Sequence, residues 1–126
     1  MSRLRGFTLI EMLMVIVIIG ILVTVLIPRF ATSREKAFVT AMKSDLRNLA
    51  TAEESYFYDN DSYSPDLTRL PAFNATNGVT VTIAAATQTG WSASASSVNS
   101  SQQCYLFVGN MGFLGAATQE GLVACE

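Results

Sequence analysis

The run from Phe7 to Ile27 constrains this chain more than any other feature. Over 21 residues only Thr8, Glu11, Gly20 and Thr24 interrupt aliphatic, aromatic and methionine side chains. At about 1.5 Å per residue, a helix of that length spans roughly 30 Å, the thickness of a bilayer's hydrocarbon core. Residues 1–6 precede it as a short basic flank, with Arg3 and Arg5 and no acid. Positive charge before a span holds that end in the cytoplasm, so the rest of the chain is expected to be exported.

Three ordinary readings compete for such a run. A secretory signal peptide has a shorter apolar stretch and a small-residue cleavage site after it. Here Pro28-Arg29-Phe30 follows Ile27 instead. A plain membrane anchor fits the length but leaves Glu11 unexplained. A carboxylate in lipid is costly and is normally kept for a partner. A buried helix of a soluble domain fits poorly with a run so continuously apolar and so rich in Val and Ile.

The stretch Gly6-Phe7-Thr8-Leu9-Ile10-Glu11-Met12 closely resembles the class III signal of type IV prepilins and pseudopilins. That signal combines a basic leader ending in Gly, a Gly–Phe junction, a Glu at fixed offset and an apolar helix. Pro28 also matches the helix-disturbing proline usual in that family. The resemblance implies that a prepilin peptidase cuts between Gly6 and Phe7 and that the new amino group of Phe7 is methylated. It further implies that Glu11 is needed for assembly. The physics is compatible: among parallel helices, Glu11 of one subunit would approach the Phe7 amine of a neighbour, and a buried charge is tolerated when paired. Glu11 would then set the register between subunits. Loss of Arg3 and Arg5 with the leader would leave 6 basic against 10 acidic side chains.

Composition narrows the chemistry. The chain contains no His, which removes His-based acid–base catalysis, Ser-His triads and His metal ligands. No acid pair or nucleophile constellation stands out, so no enzyme is expected, and no cofactor. The net charge of −2 gives no electrostatic indication of nucleic acid as a direct partner. Asp59 and Asp61 alternate as in a calcium loop, but Tyr63 and Ser64 stand where a ligand oxygen and a glycine are wanted. That stretch reads as a solvated loop, and no metal site is assigned. Three N-x-[ST] matches, at Asn60, Asn74 and Asn99, are expected by chance in so hydroxyl-rich a chain and carry no assignment.

Beyond Pro28 the pattern turns amphipathic. Phe38, Met42, Leu46, Leu49, Glu53 and Tyr56–Phe57 recur every three or four residues, with Lys36, Lys43, Asp45 and Arg47 expected on the other faces. One helix is expected over residues 7–58, with Pro28 and Gly20 as kink points. Its first half, residues 7–27, is apolar all round; its second, residues 28–58, packs one stripe on a head. A loop follows to about Gly78. Residues 79–83 alternate as a strand, residues 90–98 form a weaker one, residues 104–108 a clear third, and residues 122–125 a short last strand or strap. The whole is expected to be an α+β fold, a helix on an antiparallel sheet of about four strands, which is the type IV pilin architecture. Cys104 and Cys125 are the only cysteines. In an exported head they would pair, whereas a cytosolic domain would keep two reduced thiols. The resemblance adds that many type IV pilins carry a similar C-terminal disulfide loop.

Four segments result: a leader at 1–6, a membrane or filament-core helix at 7–27, an amphipathic helix at 28–58, and a loop-and-sheet head at 59–126. The function expected is a structural subunit that polymerises with identical copies into an extracellular filament. It would start in the inner membrane, in contact with lipid, with its N-terminus cytoplasmic and its head periplasmic. The family's partners would be the prepilin peptidase, an inner-membrane assembly platform and an assembly ATPase. The alternatives are a pseudopilin of a type II secretion system, a minor pilin, and a membrane-anchored periplasmic binding module. Cys104, Cys125 and the lack of a convincing Asp cluster near the C-terminus favour the pilus.

Overall fold

The computed structural model describes residues 6–126. The basic part of the expected leader, including Arg3 and Arg5, lies outside the described residues. The chain divides into two compact units, Met1–Ser33 and Arg34–Glu126, and one helix, α1 (Leu9–Asn60), contributes to both.

In the first unit α1 begins two residues later than expected because Thr8 serves as its N-cap. The helix is assigned without interruption through Gly20 and Pro28. Pro28 offers no N–H to the carbonyl one turn earlier. Two hydroxyls bond to backbone carbonyls on either side of it: Thr24 Oγ1 donates to the Ile21 carbonyl at 2.7 Å, and Thr32 Oγ1 to the Pro28 carbonyl at 3.2 Å. Every large apolar side chain of this unit is exposed, from Phe7 to Phe30.

In the second unit α1 is amphipathic. Met42, Leu46, Leu49 and Ala52 form its buried stripe. The helix ends at Asn60, where Asp61 takes a left-handed conformation (φ 53°) and its N–H bonds the Phe57 carbonyl at 2.9 Å. A left-handed residue just beyond the last turn is a common helix stop, and Asp tolerates it better than most side chains.

The head is a four-stranded antiparallel sheet in the order β1 (Thr80–Ala86), β2 (Gly90–Ser96), β3 (Cys104–Gly109), β4 (Ala124–Cys125). The α+β architecture expected from the sequence is therefore present: the amphipathic half of α1 packs on this sheet. The weakest strand signal became a central strand. In β2, Trp91, Ala93 and Ala95 face the helix and are almost wholly buried, while Ser92, Ser94 and Ser96 face the other way. Small alanines at those positions leave room for the helix to approach, and Trp91 fills the volume they vacate. β1 extends three residues past its expected end, with an irregular register between Ile83 and Ala85.

The last strand is shorter than expected, and most of the segment after β3 folds back across the outer face of the sheet. Phe113 lies tilted against Phe107 with ring centroids 6.1 Å apart, Glu120 accepts the Gly109 N–H at 2.7 Å, and Ala117 is fully buried. Gly115 is required there: its φ is +50°, and a Cβ on it would lie 2.5 Å from the Tyr105 ring.

One expectation about the helix is overturned. Asp45 does not lie on an outer face; it is only 2% exposed, beside Leu46. Thr76 makes this possible by satisfying the carboxylate from the loop side, as described next.

Candidate assembly site

At the N-terminal end of α1 the chain closes a reciprocal cap. Glu11 Oε2 accepts the Thr8 N–H at 2.8 Å and the Thr8 hydroxyl at 2.9 Å, and the Glu11 N–H donates to Thr8 Oγ1 at 3.3 Å. Thr8 and Glu11 are spaced as a Ser/Thr-x-x-Glu capping box, in which two otherwise orphaned backbone donors are satisfied by side chains. The carboxylate also sits where the helix dipole favours negative charge. Sequence reasoning singled out Glu11 but passed over Thr8, although the capping-box spacing was there to be read.

Gly6 and Gly20 both face open space: a Cβ on either would meet nothing within 4 Å. Neither glycine is demanded by the packing of this chain. Phe7 is still joined to Gly6 through its nitrogen, so the amine that would face Glu11 of a neighbour does not exist in this uncut chain. Around these residues, the exposed side chains from Leu9 to Ile27 make a helix long and apolar enough to cross a membrane.

In the head, two buried carboxylates eight residues apart on α1 hold the loop between helix and sheet at both ends. Glu53 Oε2 accepts the Ser64 N–H at 2.8 Å, near the start of the loop. Asp45 accepts both the N–H and the hydroxyl of Thr76, near its end. Burial pushes the Glu53 carboxyl above its ordinary range, the Ser64 N–H opposes this, and the adjacent Glu54 adds to the rise. A third carboxylate, Glu35, is exposed and accepts the backbone and hydroxyl donors of Ser101 at 3.2 and 2.7 Å, tying the β2–β3 connection to the helix. Those two bonds hold Glu35 below its ordinary range. Tyr63 stacks on Phe57 with ring centroids 4.7 Å apart and donates its hydroxyl to Glu54. Phe57 thus fastens the loop and Tyr56 packs against the core, whereas Tyr58 is exposed.

Cys104 and Cys125 form a disulfide. They face each other across β3 and β4, and flanking bonds between Gln103 and Glu126 run in both directions. Of two shallow grooves beside the loop, one is lined by small residues such as Asn48, Thr51 and Ser55, and the other by Tyr56, Arg69 and Leu70. Among the described residues no group of three or more His, Cys, Asp or Glu side chains is placed to hold a metal ion.

Residues 1–27 match the prokaryotic N-terminal methylation motif. The chain is 44% identical over 62 residues to the type IV major pilin protein PilA of Myxococcus xanthus, covering 49% of this chain and 28% of that protein. It is 41% identical over 70 residues to the type IV wide pilus major component PilA4 of Thermus thermophilus, covering 56% and 53%. It is 43% identical over 63 residues to the type II secretion system core protein G of Klebsiella pneumoniae, covering 50% and 45%. The chain thus spans between about a quarter and about half of the length of these relatives.

Proposed function

The chain carries the N-terminal methylation motif and is homologous to type IV pilins and to type II secretion core protein G, and from that premise we propose that it is a pilin, a structural subunit that polymerises into a type IV pilus. The observation that carries this is the capped, wholly exposed apolar helix behind the Gly6–Phe7 junction. Its apolar side chains are exposed among the described residues, and lipid or other copies of the helix are the surfaces that would bury them.

In this reading the segment 7–27 first sits in the inner membrane with the head in the periplasm. A prepilin peptidase removes residues 1–6 and the Phe7 amine is methylated. The helix then leaves lipid for a bundle of identical helices, where apolar contacts with neighbours replace those with acyl chains. Because the span is stable in lipid, extraction is driven by an assembly ATPase acting through a membrane platform. The Thr8–Glu11 cap gives Glu11 a physical role at both stages. Before assembly its charge is held by its own helix end; in the filament it turns to the Phe7 amine of a neighbour and sets the register. The open surroundings of Gly6 leave the Gly6–Phe7 bond free of steric obstruction from the described residues.

A pseudopilin of a type II secretion system is the second reading, because core protein G matches a similar share of the chain at similar identity. The Cys104–Cys125 disulfide favours the pilus. Mass spectrometry of sheared surface material and of inner membrane separates the two. A peptide beginning at methylated Phe7, abundant in the sheared fraction, is expected. The same peptide confined to the membrane would move the assignment to a pseudopilin or minor pilin. An intact Met1, or cleavage beyond Ile27, would overturn both.

A further inference from the structure

Among the described residues, Glu53 is the one ionisable side chain with a buried polar atom that lacks a hydrogen-bond partner. It projects from α1 into the core and is 0% exposed. Only one of its oxygens is used: Oε2 accepts the Ser64 N–H, while Oε1 is buried with no partner. A carboxylate with a bare, desolvated oxygen is a poor occupant of an apolar core, whereas the neutral acid still accepts the same N–H.

The charges around it do not compensate. On its own helix the neighbour is Glu54, which takes the Tyr63 hydroxyl. Tyr63, next to Ser64 in the loop, feels Glu53, Glu54 and, from the C-terminal segment, Glu120; all three are acidic. Arg69, the base of this loop, is engaged with Tyr56. From the sheet comes Trp91, whose buried Nε1 is also unpartnered and carries no charge.

We propose that Glu53 is a proton-operated latch on the start of the loop: the neutral acid is accommodated in the core against the Ser64 N–H, whereas ionisation, although it strengthens that one bond, puts charge on a buried oxygen with no donor, which is relieved when residues 61–66 open to water. Ser64 is a junction, which makes the latch consequential. Its hydroxyl donates to the Asp66 carbonyl and accepts the Asp66 N–H, and Tyr63 N–H bonds the Thr87 carbonyl in the β1–β2 turn. Release at Ser64 therefore reaches both the short 3-10 helix Leu67–Arg69 and the hairpin. The folded carboxyl binds its proton more tightly than the unfolded one. The latch's contribution is thus complete below the unfolded value of 4.5 and is lost as pH rises through the higher folded value.

The test is amide hydrogen exchange on the full chain in detergent micelles, followed in peptides covering residues 61–67 at about pH 5 and about pH 8 and corrected for intrinsic rates. In that interval linkage permits up to roughly tenfold per pH unit until the folded group has titrated. Protection at Ser64 is expected to fall at least about threefold on going to the higher pH, with the Thr76 end of the loop changing less. Glu53→Gln keeps an acceptor for Ser64 and cannot ionise, so its protection should be independent of pH. An equal pH response in wild type and Glu53→Gln, or no response in wild type, overturns the latch; the second result would also follow if a buried water satisfied Oε1. A carbon-13 titration of the Glu53 carboxyl in the wild-type chain decides the matter should Glu53→Gln fail to fold, since a midpoint at or below 4.5 overturns the proposal.

Discussion

Asp45 accepts two hydrogen bonds from Thr76, a residue 31 positions away: the N–H reaches Oδ2 at 2.8 Å and the hydroxyl reaches Oδ1 at 2.9 Å. This pair closes the loop onto the helix just before β1 begins. Asp45→Ala removes the charged acceptor of both Thr76 donors, which must then turn to water. The loss should be about 1–3 kcal/mol of head stability, read as a lower denaturant midpoint with an unchanged slope. Asp45→Asn retains one good acceptor and should lose less. Equal losses for the two substitutions would mean that the pair contributes by filling space alone.

Gly6 and Glu11 should separate cleanly in their phenotypes. Gly6→Leu meets no obstacle in the folded chain, so a block in leader removal with normal accumulation of the uncut protein is expected on an immunoblot. Glu11→Ala breaks the reciprocal cap with Thr8 and removes the group that would pair with a neighbour's Phe7 amine. Processing should continue while the yield of sheared filament drops severely. A normal filament yield would remove Glu11 from the assembly step.

The disulfide closes a segment with a sequence separation of 21. β4 is only two residues long, so the strap after β3 depends heavily on this link. Replacing Cys104 and Cys125 together by Ser should cost about 3 kcal/mol on the chain-entropy account. The loss should appear as faster proteolysis within residues 110–126, with the helix-facing core retained. A strap that remains resistant would show that Phe113, Ala117 and Glu120 suffice to hold it.

Glu35 should respond to pH in the sense opposite to Glu53. Its carboxyl is held below its ordinary value by the Ser101 hydroxyl and then by the Ser101 N–H. Its contribution is therefore present above the unfolded value of 4.5 and is lost as pH falls through the lower folded value. Exchange at the β2–β3 connection should accelerate on acidification below about pH 4.5. Ser101→Ala, which deletes the hydroxyl donor, should bring the onset of that loosening to higher pH. An unchanged onset would show that the connection is fastened elsewhere.

The long helix was legible because its signals are local. Apolar continuity from Phe7, the three-to-four spacing of Met42, Leu46 and Leu49, and turn formers after Tyr58 act within a few residues. β3 was legible for the same reason, being rich in aromatic and aliphatic residues between polar flanks. β2 was underestimated because Ser and Ala carry little strand preference of their own. Its place is fixed by pairing with strands on both sides and by Trp91, which only becomes a core residue once the helix lies above it. Asp45 was misplaced by charge alone: an Asp is usually solvated, and nothing near it in sequence announces that Thr76 will supply two donors.

By itself the sequence determined the pattern of the N-terminal end: a Gly6–Phe7 junction, an acid at Glu11 and a continuous apolar span from Phe7 to Ile27. These are properties of consecutive residues, and they hold wherever the helix goes. Only the tertiary structure decided which acids are buried, which loop residues clasp them, and that Glu53 keeps one oxygen without a partner. Such facts depend on residues far apart in the chain meeting in a low-dielectric interior, where one missing donor outweighs any local preference.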